Sequence, residues 1–266
     1  MSTQKITEII QKLTDHKNVV ITERGDVAIA SALCAVETGT VIIPEEGGWI
    51  SYQKLPQKLG LNSITVKCDH AKIDLEDLKE KSKSTHAILY QNPGGYFAEQ
   101  PMQEIYEICK KNDCIVIMDV SGGIGTDLCE GRYADIMVAS FRTWKLVDAD
   151  VGGFISSNIF DLSKVDTLTD ETSLHKILTA FHKLQKRIIM LEKMREKVIA
   201  DLIEYDIVHP NDLGFVVVVN FYNDEEKQTI IKYCTNNELE YTVCPRYIRV
   251  NEDAISIELK RIKTVV

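Results

Sequence analysis

Of all residues in this sequence, a lysine that follows a predicted strand is the clearest candidate for a catalytic role. Lys145 lies in SFRTWKLV, five residues after Ser140 at the end of the apolar run ADIMVAS, and its neighbours are Trp144 and Leu146. A lysine that is partly removed from water becomes a better nucleophile and can form a Schiff base with a carbonyl group. Taken alone, the residue also fits an ordinary surface lysine. The residues that surround it in the fold therefore decide between the two interpretations.

Other candidate functional residues also lie at the ends of predicted strands. Asp119 ends CIVIMD and precedes Ser121, Asn92 begins NPGG, and Gly25 joins a strand to a helix, where free N–H groups can hold a phosphate. Trp49 opens a helix and can offer a ring face. Each also has a structural interpretation, as a cap, a turn residue, a hinge or a core anchor. Parallel sheets bind ligands at the carboxyl ends of their strands, so we expect these residues to converge.

The elements that position these residues alternate between strand and helix. Val/Ile-rich runs predict strands near 18–22, 40–43, 63–66, 86–90, 114–118, 134–139 and 152–156. Helical periodicity lies near 26–37, 49–59, 74–82 and 99–111. Strands that are apolar on both faces and alternate with helices predict an α/β fold, with a mainly parallel seven-stranded sheet sandwiched by helices.

The pattern changes after residue 157. A long amphipathic helix is predicted over 172–204, and a helix near 224–236 follows it. Short strands are predicted at 215–221, 240–243, 247–250 and 255–258. These elements divide the chain into a large domain (1–157), a connecting helical region (158–204) and a small C-terminal α+β domain (205–266). The polar face of the long helix predicts a solvated surface, with a docking surface as the alternative, and it carries Lys176, Lys183, Lys186, Arg187, Lys193 and Lys197.

Composition excludes several function classes. The 266 residues include 40 acidic and 31 basic side chains, a net charge of −9 that argues against a nucleic-acid partner. No apolar stretch has the length of a signal peptide or membrane span, so we expect no membrane partner. Seven cysteines without a CxxC pair indicate a reducing cytoplasm, and the six histidines show no metal-ligand spacing. Cys129 lies near the predicted site and is interpreted as an inert buried thiol, with a desulfurase-like thiol as the alternative.

The order of these features resembles a known enzyme class. A strand-end Asp119, then SF-x-x-W-K, then Gly152-Gly153 before the next strand is similar to the DegT-type sugar aminotransferases. GGWISY and NPGG look more like the amino-acid aminotransferases. The region 18–157 thus resembles the fold type I enzymes that depend on pyridoxal phosphate (PLP), with features of two subfamilies.

This resemblance implies a role for each candidate. Lys145 would form the Schiff base with PLP and then move the substrate α-proton, and Asp119 would pair with the pyridine nitrogen. Asn92 would contact the ring oxygen, and Trp49 would stack on the ring. The expected cofactor contacts are completed by Ser121 and by a phosphate cup of Gly25, Asp26, Val27 and Ser140.

Two positions depart from the family pattern near the expected cofactor site. Asp26 stands where Ser or Thr is usual, and a carboxylate beside a phosphate is repulsive unless it turns away. Gly122 stands where amino-acid aminotransferases often carry a Tyr. For the substrate, amino-acid aminotransferases use an arginine of the small domain to hold the carboxylate, and Arg246 and Arg249 are the candidates. Arg249 is favoured because it lies in the more strand-like stretch.

The resemblance implies a PLP-dependent aminotransferase that acts on a small-molecule amino acid or amino sugar and forms a homodimer. A β- or γ-eliminating lyase or desulfurase is the alternative enzyme, because it uses the same cofactor residues. A non-catalytic member of the fold is a third possibility, since the chain is short for the class.

Overall fold

The computed structural model describes residues 2–36 and 38–263, and it has a seven-stranded sheet at its centre. The strands of this sheet, in chain order, are β1 (Asn18–Thr22), β2 (Thr40–Pro44), β3 (Asn62–Val66), β4 (Ala87–Gln91), β5 (Ile115–Asp119), β6 (Ile136–Ser140) and β7 (Gly153–Ser157). Their spatial order is β1-β7-β6-β5-β4-β2-β3. Six strands share one direction, and β7 runs antiparallel to β1 and β6 on either side of it. The predicted mainly parallel seven-stranded α/β fold is confirmed.

Helices cover both faces of this sheet. The helices, in chain order, are α1 (Ser2–Thr14), α2 (Gly25–Cys34), α3 (Ile50–Lys58), α4 (Leu75–Lys81), α5 (Met102–Lys110), α6 (Glu171–Asp201) and α7 (Asp224–Asn236). In β5, Val116 and Met118 pack on one face with Ile105 of α5, whereas Ile117 packs on the other face with Ala32 of α2. This alternation places apolar side chains on both faces, which is why the strands read as continuous apolar runs.

A smaller antiparallel sheet follows the long helix α6. It contains β8 (Val217–Asn220), β9 (Tyr241–Val243) and β10 (Ala254–Ile257) in the order β8-β10-β9, with α7 packed beside it. This is the antiparallel part expected at the C-terminal end of the fold. The boundaries predicted at 157 and 204 stay a prediction.

The strand predicted at 247–250 is wrong. This segment forms a turn, in which Arg249 N–H donates to Arg246 O at 2.8 Å and Arg246 N–H donates to Val250 O at 2.8 Å. Val250 is buried in an apolar cluster with Tyr96 and Phe97, and the Asn251 N–H donates to the Glu46 carboxylate at 2.6 Å. The turn therefore ties the C-terminal segment to the loop after β2.

The helix α6 corresponds to the helix predicted over 172–204, and five of the six basic residues assigned to its polar face are exposed. Arg187 is the exception, because its side chain is only 4% exposed. The C-terminal segment packs over this position, and sequence periodicity could not predict that contact. Among the described residues, no helix combines the length and hydropathy that a membrane span needs.

Candidate active site

A cavity of about 530 Å³ opens at the carboxyl ends of the central strands. Its walls come from the ends of β5 and β6, the turn before α2, the loop around Lys145 and the C-terminal segment between 246 and 261. Seven of the nine predicted catalytic and cofactor-binding residues line it: Gly25, Asp26, Trp49, Asp119, Ser121, Ser140 and Lys145. Both arginine candidates, Arg246 and Arg249, also line it, whereas Val27 and Asn92 do not appear in its walls.

Lys145 reaches the cavity from the loop between β6 and β7. Its Nζ donates a hydrogen bond to the Tyr96 hydroxyl and lies 4.9 Å from the centre of that ring. The same Nζ lies 5.1 Å from the centre of the Trp49 ring. Trp144, just before it, has a φ of +69°, which is uncommon for a large side chain and indicates a constrained loop. Two aromatic rings thus hold a partly buried amine in place.

Asp119 is a buried carboxylate at the end of β5. It accepts hydrogen bonds from the Tyr52 hydroxyl at 2.8 Å and from the Ser121 N–H at 2.8 Å. Burial, together with the adjacent Asp119 charge, raises the pKa of Tyr52 well above its usual range, so Tyr52 stays a phenol and remains a donor. These fixed contacts orient a carboxylate that can bind a protonated ring nitrogen.

The turn before α2 approaches the end of β6 very closely. A Cβ at Gly25 would lie 2.6 Å from the Cβ of Ser140, so this position requires glycine. The Ser121 hydroxyl in turn accepts from the Ser140 N–H at 2.8 Å. The result is a small polar cradle at the start of a helix, where the helix dipole favours an anion.

Val27 does not complete this cradle as predicted. Its N–H donates to the Arg24 carbonyl at 3.1 Å, so that group is already used within the first turn of α2. The guanidinium-bearing residues Arg24 and Arg142 line the cavity near the cradle instead. The positive charge that a phosphate needs can therefore come from residues that the motif comparison did not include.

The Asp26 carboxylate turns toward α3. It accepts from Trp49 Nε1 at 3.1 Å and from the Ser51 hydroxyl at 2.7 Å. Asp26 therefore acts on the orientation of the Trp49 ring, which explains how an acid is accommodated next to an anion site.

Asn92 is not brought to the site. Its side chain is fully buried, with Nδ2 donating to Leu128 O at 3.3 Å and Oδ1 accepting from the Gln100 N–H at 3.1 Å. The structure therefore does not support the predicted contact of Asn92 with the cofactor ring oxygen. Asn92 instead organises the turn that follows β4. The preceding residue, Gln91, lines the cavity instead.

The structure also does not support Arg249 as the favoured ligand of the substrate carboxylate. Its Nε and Nη2 donate to the Glu258 carboxylate at 3.0 and 2.6 Å, and both side chains are buried. A guanidinium that is held by an internal carboxylate in this bidentate geometry is not available for a second one. Arg246 is exposed on the cavity wall and remains the candidate of the two.

Tyr96 is a site residue that the sequence analysis missed. A Cβ at Gly122 would lie 2.7 Å from Cδ1 of Tyr96, so the tyrosine ring fills the space above this glycine. The unexpected Gly122 was therefore the available signal, because a glycine at a strand end often permits a close approach.

Lys260 is a second lysine in the cavity and was also missed. It is buried, its Nζ lies 3.5 Å from Glu258 Oε2, and it is 4.8 Å from the centre of the Tyr96 ring. Desolvation and the nearby Arg249 charge lower the pKa of Lys260 to about 7. The pKa of Glu258 falls to about 2, because the surrounding cations outweigh its desolvation. No local pattern around Lys260 predicts this burial.

Arg187 connects the two lysines through the backbone. Its guanidinium donates to Lys145 O at 3.2 Å, to Lys260 O at 2.6 Å and to Ile262 O at 2.9 Å. One side chain of α6 therefore fixes the loop of Lys145 and the C-terminal turn relative to each other.

Cys129 does not contribute to the cavity. It is buried outside the lining, and burial raises the pKa of its thiol to about 12. This agrees with the inert-thiol interpretation and gives a desulfurase no nucleophile at this position. Within the described residues, no group of three or more His, Cys, Asp or Glu side chains could hold a metal ion.

The mainly parallel sheet and the small antiparallel sheet after it match the fold of the fold type I class of PLP-dependent enzymes, and Asp119 and Lys145 lie at the cavity of this fold. Residues 2–199 match the DegT/DnrJ/EryC1/StrS aminotransferase family, and residues 172–265 match the MJ1341 family C-terminal domain. Because the first match spans most of the chain, this protein belongs to the DegT/DnrJ/EryC1/StrS aminotransferase family. No curated protein matches the sequence.

Solved structures share the fold at low sequence identity. GDP-4-keto-6-deoxymannose-3-dehydratase with bound GDP-perosamine is 17% identical, with a TM-score of 0.75 over 98% of this chain and 89% of that one. For 3-amino-5-hydroxybenzoic acid synthase the values are 14%, 0.75, 97% and 85%. A serine palmitoyltransferase variant from S. paucimobilis with bound PLP-myriocin aldimine gives 14%, 0.73, 96% and 71%.

The family is one of PLP-dependent transferases, and PLP is the cofactor. The residues present fit this group: the glycine cradle suits its phosphate, Asp119 suits its ring nitrogen and Trp49 suits its ring face. When bound, PLP supplies an electron sink for the carbon next to the reacting amine.

Proposed function

We propose that this protein is an aminotransferase in which Lys145 is the covalent attachment point of PLP. The observation that carries the proposal is the convergence of the Lys145 amine and the buried Asp119 carboxylate on one cavity. A nucleophilic amine and a carboxylate that holds a ring N–H are the two protein groups that this chemistry requires.

The residues around Lys145 suit it for proton transfer as well as attachment. Once the substrate amine takes its place, the free Lys145 amine is a base that can move a proton at the substrate α-carbon. The Tyr96 hydroxyl bonds to the same nitrogen and limits its position. The Trp49 ring, which is held by Asp26, lies 5.1 Å from the same amine.

We propose an amino sugar and not an amino acid as substrate, and the support is that the structures similar in fold include a putative sugar aminotransferase and one that holds GDP-perosamine. The amino donor is a small molecule in either case.

We also propose a cytoplasmic homodimer with the cavity near the subunit interface. Three large apolar side chains remain substantially exposed around the cavity: Trp49, Ile50 and Trp144. A second copy of the chain would remove this apolar surface from water. Light scattering on the purified protein, with a mass near 60 kDa expected from two chains of 30.1 kDa, tests this.

The decisive experiment is a half-reaction with the PLP-loaded protein and a panel of amino acids and amino sugars. Transamination converts the bound cofactor to its pyridoxamine form, with loss of the visible absorption band and release of the oxo product. Release of ammonia with retention of the band marks elimination and supports the lyase alternative. Binding of PLP with no reaction across the panel supports the non-catalytic alternative.

A further inference from the structure

The C-terminal wall of the cavity carries an excess of positive charge. Four basic residues of this segment line the cavity: Arg246, Arg249, Lys260 and Arg261. Glu258 is a buried carboxylate among these cations. Arg249 donates a hydrogen bond to each of its two oxygens, at 3.0 and 2.6 Å. One internal carboxylate therefore faces several cations, in a protein whose net charge is −9.

Lys260 is the least compensated of the cations in contact with Glu258. Its Nζ lies 3.5 Å from Glu258 Oε2, whereas Arg249 Nη2 lies 2.6 Å from the same atom. Arg261 Nε approaches Glu258 at 3.6 Å and also pairs with Glu240 at 2.9 Å. A buried ammonium with a distant, shared partner retains a strong preference for a further anion.

The position of Lys260 relative to Lys145 is fixed. The two Nζ atoms lie 4.8 and 4.9 Å from the centre of the same ring, that of Tyr96. Arg187 holds the backbone carbonyls of both lysines. A ligand group that contacts Lys260 therefore lies in the same part of the cavity as the amine of Lys145.

We infer that Lys260 binds an anionic group of the substrate, either a carboxylate or a tetrahedral oxyanion, beside the reacting amine. This inference rests on the proposed function, because only that function identifies the bound anion as part of the substrate. It assigns to Lys260 the role that the sequence had suggested for Arg249.

Anion binding by Lys260 depends on its charge. The groups that face its ammonium are Glu258, Arg249, Arg261, Lys145 and the Tyr96 ring. The pKa of Lys260 is lowered to about 7, so part of the protein holds this lysine uncharged near neutral pH. An arriving anion favours the charged form, so binding takes up protons near neutral pH.

Isothermal titration calorimetry with sulfate and succinate tests this on the PLP-loaded protein, where the cofactor fills the phosphate cradle. Titrations at pH 7 in two buffers of different ionisation enthalpy measure the proton uptake. We expect at least one of the two anions to bind with a net uptake of protons. Tighter binding of sulfate indicates a tetrahedral oxyanion, and tighter binding of succinate indicates a carboxylate.

The variants separate Lys260 from the other cations. Lys260→Met weakens binding about 10-fold or more and abolishes the uptake, whereas Lys260→Arg keeps binding but takes up no proton. Lys263→Met, which changes an exposed lysine three residues away, behaves like the wild type. Thermal melts of each variant establish that it is folded.

Two results overturn the inference: binding of neither anion by the wild type, or an unchanged Kd and proton uptake in Lys260→Met. The wild-type measurement stands even if a variant fails to fold. The visible band of the attached cofactor reports the proposed function separately, because it depends on Lys145. Loss of that band in wild type defeats the proposed function, while loss of anion binding alone defeats only the role of Lys260.

Discussion

The two walls of the cavity are built on different physical principles. The sheet wall places Asp119 and Ser140 at strand ends, where the fold alone determines their position. The C-terminal wall places Arg249, Glu258 and Lys260 through mutual charge pairing in a buried segment. The sheet wall therefore tolerates changes of charge without loss of the fold, whereas the C-terminal wall depends on its charges for its shape.

Lys145→Ala gives the largest expected effect on activity. Removing the amine removes both the attachment point and the base, so the rate of the half-reaction falls about 1,000-fold or more. The free energy of unfolding changes little, because the side chain is only partly buried. Stopped-flow absorbance and urea denaturation measure the two quantities.

Lys186→Ala is the matched control, since this lysine is exposed on α6. Equal loss of activity in both variants, or a Lys145→Ala variant that transaminates at the wild-type rate, contradicts the assignment of Lys145 as attachment point and base.

Glu258→Gln produces the largest expected loss of stability. The change leaves Arg249 and Lys260 buried without their carboxylate, which costs about 3–5 kcal/mol of the free energy of unfolding. Urea denaturation at pH 7 measures it. Glu240→Gln, which removes an exposed partner of Arg261, costs less than about 1 kcal/mol.

Glu258 also makes the free energy of unfolding depend on pH in the acid range. The pKa of Glu258 is about 2 in the folded protein, below its usual value of 4.5, so its contribution is complete above pH 4.5 and is lost as the pH falls toward 2. Glu258→Gln lacks this step. Identical acid profiles in the two proteins would show that the C-terminal wall does not depend on this carboxylate.

Asp119→Asn is expected to act on rate more than on stability. The amide retains the shape of the side chain but cannot hold a positive charge on the ring N–H, so the half-reaction slows about 100-fold. Rapid-kinetic absorbance measures the rate. Asp127→Asn, at an exposed position, keeps the wild-type rate, and an equally active Asp119→Asn rules out the proposed role.

Ser140→Ala has the smallest expected effect. Loss of one hydroxyl from the cradle weakens PLP binding about 10-fold, because a hydrogen bond to a charged group contributes about 1.5–3 kcal/mol. Fluorescence titration of the apoprotein gives the Kd. With exposed Ser163→Ala as control, an unchanged Kd for Ser140→Ala places the phosphate elsewhere.

The difference between the sheet wall and the C-terminal wall also explains which parts of the site could be predicted from the sequence. Strand ends follow from local apolar runs, so the seven strands and the positions of Asp119 and Lys145 were predictable. Asn92 was misassigned because a turn residue can face either the ligand or the core, and the sequence pattern does not distinguish these orientations. Its Oδ1 accepts from the Gln100 N–H, a contact specific to this turn.

The C-terminal wall was less predictable because its order comes from contacts between distant segments. Arg187 lies on the face of α6 that periodicity marks as polar, yet the C-terminal turn covers it. Arg249 was placed in a predicted strand, but the segment is a turn and its guanidinium pairs with Glu258. Lys260 is buried by the same packing, nine-tenths of the chain away from the first strand.

Reduction of the PLP-loaded protein with borohydride, followed by peptide mass spectrometry, identifies the lysine that holds the cofactor. Two lysines face the cavity, and the lowered pKa of Lys260 makes it a chemical competitor for the cofactor. We predict a phosphopyridoxyl group on the peptide that contains Lys145. A group on the Lys260 peptide, or no modified lysine at all, would contradict it.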